Sequence, residues 1–113
     1  MMPLPATLLD RSAAAAAYAF ALAPDLAAFQ GHFPGDPVLP GVVLVDWAAR
    51  LGREAFGPLG AFRGLDQVKF LAPVRPGEPL ELALALEPGI LRFRYQAGGI
   101  LRASGAILWA EAP

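Results

Sequence analysis

Residues 31–46 read Gly31-His32-Phe33-Pro34-Gly35-Asp36-Pro37-Val38-Leu39-Pro40-Gly41-Val42-Val43-Leu44-Val45-Asp46. The run divides at Gly41. Before it, Pro34, Pro37 and Pro40 fix three φ angles and push each preceding residue toward an extended shape, so 31–40 cannot be a regular element. After it, Val42, Val43, Leu44, Val45, Trp47, Ala48, Ala49, Leu51, Ala55 and Phe56 fall around almost the whole circumference of a helix. A helix apolar nearly all round is expected to be buried. Gly57-Pro58 ends it. The β-branched valines of its first turn are poor helix formers, so burial has to hold that turn. The run also contains the only histidine of the chain, and its helical half ends on a carboxylate, Asp46.

Working outward, the chain after the helix reads as strands. Residues 62–70 form one, and 72–78 a proline-stiffened connection. Leu80, Leu82, Leu84 and Leu86 alternate with Glu81, Ala83, Ala85 and Glu87, the pattern of a half-buried strand. Glu87-Pro88-Gly89 is a turn signal. Leu91, Phe93 and Tyr95 alternate with Arg92, Arg94 and Gln96, Gly98-Gly99 marks a tight hairpin, and 100–111 is a long last strand. Before the run, alanines over 13–22 favour helix, but the Tyr18, Phe20, Leu22 alternation favours a strand, which is the reading adopted. A short helical turn is expected over 26–30. Residues 1–11, with two prolines and no period, are expected to be a loosely held arm. The fold class is therefore α+β: an antiparallel sheet of about five strands wrapped around one long buried helix, since nothing else can bury it. The length, 113 residues, fits one domain spanning 1–113.

Composition narrows the partners. The hydrophobic fraction of 56% and mean hydropathy of +0.47 are high for a small monomer and point to apolar surface covered by another subunit. Net charge is −1, without the clustered basic excess that a nucleic-acid surface needs. With no cysteine and one histidine, a disulfide framework, a thiolate nucleophile and a Cys- or His-rich metal site within the chain are excluded. Residues 12–23 are alanine-rich and end Ala21-Leu22-Ala23 like a cleavage site, but the leader before them balances Arg11 against Asp10, unlike a secretory signal. No apolar run reaches the roughly 20 residues that a membrane span needs. The expectation is a cytoplasmic protein with no nucleic-acid or membrane partner.

The run GHFPGDPVLPGVVLVDWA resembles the signature of the FabA/FabZ-like 3-hydroxyacyl-[acyl-carrier-protein] dehydratases, which are hot-dog proteins. Asp46 stands fourteen residues after His32, as the family's acid does, and the FabA-type members carry Asp there. The patch Val68-Lys69-Phe70-Leu71-Ala72-Pro73-Val74-Arg75-Pro76-Gly77-Glu78 is similar to the family's strand after the helix. The short chain and the Val-Val-Leu-Val-Asp-Trp-Ala wording look most like the small dehydratases of aryl polyene clusters. Longer members carry an extra N-terminal helix and strand, which are expected to be missing here.

The resemblance implies loss of water from a 3-hydroxyacyl thioester to give the trans-2-enoyl product. The implied partner is acyl carrier protein, whose phosphopantetheine arm brings the substrate; no cofactor or metal of the protein's own is implied. It implies a homodimer or higher oligomer, or a heteromer with a related dehydratase, with His32 of one subunit facing Asp46 of the other. His32 is the expected base, because a neutral imidazole suits removal of an α proton near neutral pH. Gly41 is expected to offer its N–H, at a helix N-terminus, to the thioester carbonyl. The Val38 carbonyl would hold the other ring nitrogen of His32, and Phe33, Pro40 and Trp47 would bind substrate or orient the site. Asp46 is the expected acid; to keep a proton it needs burial, expected among Val43 and Trp47. Arg50 departs from the family's usual glutamine. One helical turn from Asp46, its guanidinium favours the ionised carboxylate and works against the acid role. The alternative is that Asp46, Arg50 and Glu54 form a charged stripe and the chain is a degenerate subunit that supports an active dehydratase. A thioesterase or enoyl hydratase on the same fold is a further alternative. Asp36 reads as a turn residue. Arg63, Lys69, Arg75, Arg92, Arg94 and Arg102 read as mostly solvent-facing.

Overall fold

The computed structural model describes residues 4–30 and 35–110. Six strands make one antiparallel sheet: β1 (Ala6–Arg11), β2 (Ala15–Phe20), β3 (Phe62–Phe70), β4 (Leu80–Glu87), β5 (Ile90–Ala97) and β6 (Ile100–Trp109). Their spatial order is β1-β2-β4-β5-β6-β3. One long helix, α1 (Gly41–Phe56), packs on one face of the sheet against β4 and β5. This is the hot-dog arrangement, with six strands rather than about five.

Alternation builds the core. Leu82 pairs with Tyr95 and Leu84 with Phe93, so all four side chains point at the helix and are buried. From the helix come Leu44, Trp47, Ala48 and Leu51. Phe20 stacks on Trp47 with ring centroids 5.0 Å apart. The Tyr95 hydroxyl donates to the Leu44 carbonyl at 2.6 Å, tying sheet to helix. At Gly52 a β-carbon would lie 2.5 Å from Leu91 Cδ2, so the close approach of α1 to the sheet depends on the missing side chain.

Three expectations change. The arm is in part strand β1, paired with β2. It was hidden because five of its six residues are exposed, and no apolar alternation marks a strand that buries so little. The last strand ends at Trp109, and Glu111 lies outside the described residues. The helix is buried on one face only: Val42 is 75% exposed, because this chain's single sheet covers one side of α1. The short turn is a 3₁₀ helix at Ala27–Phe29, and Gly57, with φ of 83°, ends α1 as expected.

Candidate active site

The start of α1 is the organising point. Pro40 is its N-cap, extended and unable to cap with a side chain. Its carbonyl accepts from Val43 and Leu44. Among the described residues the N–H groups of Gly41 and Val42 have no acceptor, leaving two donors at the positive end of the helix.

The segment leading into the helix is held at two points. Leu39 N–H donates to the Val74 carbonyl at 2.9 Å, and Asp36 accepts the Arg75 guanidinium at 3.1 Å. Both partners belong to the connection between β3 and β4, which is itself clamped. Arg102 of β6 meets the Glu78 carboxylate at 2.6 Å and donates to the Pro73 carbonyl at 2.7 Å, while Glu78 also accepts the Arg75 N–H. The Arg102 side chain is only 12% exposed, which corrects its reading as solvent-facing: the connection folds over it. Bonding from Arg102 holds the Glu78 carboxyl below its usual range, against the opposing effect of burial.

Asp46 is not buried. Its side chain is 61% exposed on the helix face that the sheet leaves uncovered, and Arg50 stands 3.8 Å away. Val43 is half-buried, and Trp47 is buried against Phe20 rather than beside the acid. The expected enclosure of Asp46 is therefore absent within one chain, because α1 presents Trp47 to the sheet and Asp46 away from it. Further along the same stripe, Glu54 accepts the Tyr18 hydroxyl at 3.1 Å. Burial and then Glu54 push Tyr18 up to about 12. Burial, and then the Asp46 charge, push Tyr95 well above the usual tyrosine value, so it stays a neutral donor beneath the site.

The fold thus brings together Gly41, Pro40 and Val38 at the helix entry and Asp46 with Arg50 about a turn further on. Val38 is half-buried. His32 and Phe33 lie outside the described residues, and so does the expected contact from the Val38 carbonyl to His32. Among the described residues no group of three or more His, Cys, Asp or Glu side chains could hold a metal, and no helix is long and apolar enough to cross a membrane.

One participant escaped the sequence reading. Phe70, at the end of β3, abuts Gly41 and lines a cavity of about 200 Å³ with Leu39, Leu44, Leu71 and Val74. The only signal for it was the similarity of the patch around Lys69-Phe70-Leu71 to the family's strand after the helix.

Comparison with known proteins follows the same lines. Residues 9–106 match the ApeI-like family, described as ApeI dehydratase. The 3-hydroxyacyl-[acyl-carrier-protein] dehydratase FabZ of Enterococcus faecalis is 40% identical, over 68% of this chain and 59% of that protein. The chain spans about half to three-fifths of the length of such FabZ relatives. A chain of the dehydratase heterocomplex ApeI:P from Xenorhabdus doucetiae superposes with a TM-score of 0.85 at 31% identity, covering 96% of this chain and 97% of that one. Thioesterase superfamily member 2 from Mus musculus superposes at 0.68 with 16% identity, over 91% of this chain and 79% of that one, and shares the fold alone.

Proposed function

Because the chain belongs to the ApeI-like dehydratase family, we propose that it removes water from a 3-hydroxyacyl thioester carried on acyl carrier protein, in fatty-acid or aryl-polyene-type synthesis in the cytoplasm. The observation that carries the reading is the run from His32 to Asp46 leading straight into α1, with Asp46 on the face of that helix its own sheet leaves open. His32 takes the proton from the α carbon. The N–H groups at Gly41 and Val42 stabilise the charge that develops on the thioester oxygen. The electron pair of the broken C–H bond forms the double bond to the β carbon, and the β C–O bond breaks. The departing hydroxyl takes a proton from Asp46 and leaves as water. The imidazolium then returns its proton to the carboxylate or to solvent. No cofactor of the protein's own enters; the pantetheine thiol arrives with the carrier. A second subunit, another copy or a related dehydratase, covers the open face of α1 and encloses Asp46 opposite the His32 that it supplies.

The test is mass-spectrometric detection of dehydrated 3-hydroxyacyl carrier protein. Wild type is expected to convert it, and His32→Ala to lose roughly 10²–10⁴-fold in rate. Full activity in His32→Ala overturns the mechanism.

The contact between Arg50 and an exposed Asp46 favours a second reading, in which this subunit is degenerate and supports an active partner. Its marks are an inactive wild type and activity restored by Arg50→Gln or by adding a related dehydratase.

A further inference from the structure

Phe70 lies against Gly41, the first residue of α1. A β-carbon built on Gly41 would lie 2.5 Å from Phe70 Cζ, 2.7 Å from Cε2 and 2.8 Å from Cε1. The outer edge of the ring therefore occupies the space that a side chain at position 41 would fill. The same ring is 55% exposed, so it is held from one side only.

A local irregularity aims it there. Leu65 pairs with Ile107 and Phe70 with Ala103, and both of those β6 residues are buried on the helix side of the sheet. Five residues apart on a regular strand, Leu65 and Phe70 would point to opposite faces. The register shifts between Asp66 and Lys69, where β3 carries one residue more than β6. Gln67 sits in that bulge with φ of 51°, the one non-glycine positive φ among the described residues. Bulges of this kind re-aim side chains, often beside active sites.

We propose that Phe70, aimed by the bulge at Gln67, sets the clearance at the α carbon of the acyl thioester and excludes α-branched acyl chains. The proposal rests on the dehydratase reading. With the thioester oxygen on the N–H groups of Gly41 and Val42, the α carbon lies two bonds from that oxygen, within contact range of the group seated on Gly41. An unbranched chain carries only hydrogens there. A methyl group would need the volume filled by the ring edge. The cavity beside it, about 200 Å³, is smaller than the roughly 300 Å³ at which ordinary small-molecule sites begin, so a branched chain finds no separate site there.

The test compares unbranched and 2-methyl 3-hydroxyacyl carrier proteins in wild type, Phe70→Ala and a variant lacking Gln67. The ratio of kcat/KM for the branched over the unbranched substrate is expected to rise about tenfold or more in Phe70→Ala, the size of effect one methyl group has on a packed site. Deletion of Gln67 leaves Leu65 and Phe70 four residues apart on a regular strand and Phe70 still opposite Ala103, so this variant is expected to keep a ratio close to that of wild type. In parallel, the Kd of amide-linked analogues of both acyl pantetheines is read by isothermal titration calorimetry. A Phe70→Ala protein with the wild-type ratio in both readouts overturns the proposal, even if the deletion variant does not fold. A wild type that discriminates in binding but dehydrates neither substrate overturns the activity reading and upholds this one. A wild type that binds neither analogue overturns both.

Discussion

Tyr95 carries a hydroxyl into the apolar core, and its position ties stability to the site above it. The hydroxyl donates to Leu44 in the first turns of α1. Tyr95→Phe keeps the ring and removes the bond, at a cost of about 1 kcal/mol in urea denaturation. Its alkaline behaviour has a definite sign. An acid whose folded value is raised contributes stability that is fully present below its unfolded value, near 10, and lost as pH climbs toward the folded one. Wild type should therefore lose stability more steeply above pH 10 than Tyr95→Phe; equal slopes would show that the phenol ionises in place. At Asp46 the sequence suggested an enclosed acid and the fold shows an open one. The reason is physical: a helix pattern records which residues are apolar, not whether the surface that covers them belongs to the same chain.

Among the elements, the connection between β3 and β4 controls how the entry to α1 is held. Glu78 is the pivot, 25% exposed and bonded to Arg102. Glu78→Gln leaves a largely buried guanidinium without its charge partner. The expected cost is about 2 kcal/mol at neutral pH, between the values for exposed and fully buried pairs. Because the carboxyl is held below its usual range, its contribution is present above about 4.5 and lost as pH falls below it. Thermal denaturation from pH 6 down to pH 3 should thus flatten in the variant relative to wild type. The strands β4 and β5 were legible in the sequence because Leu80, Leu82, Leu84, Leu91, Phe93 and Tyr95 keep strict alternation over a buried face. β1 was not, since Thr7, Leu8 and Leu9 are all exposed and show no alternation between a buried and an open face. The aim of Phe70 was not legible either: an extra residue in a strand leaves no mark in its composition, only in its register.

Over the whole molecule, the exposed large apolar residues among those described lie along β3 and the start of the helix, on β1 and at Leu71 and Ile100. β3 is paired on one side only and leaves Phe62, Leu65 and Phe70 exposed, and Val42 lies at the helix start that Phe70 touches. An edge of this kind invites pairing with another chain. If that edge takes part in the proposed subunit contact, Leu65→Lys should shift sedimentation toward the monomer and remove activity while leaving the helix and strand content seen by circular dichroism intact. The order of the strands has a further consequence for how the chain is made. β3 follows α1 directly, yet its only partner among the described residues is β6, which is made after β4 and β5. Through the synthesis of β4 and β5, β3 with its exposed Phe62, Leu65 and Phe70 waits for that partner. Such non-local closure is slow and exposes sticky surface on the way. β3 is therefore paired only once β6 has been made, and a nascent chain stalled before β6 would be a strong client for chaperones.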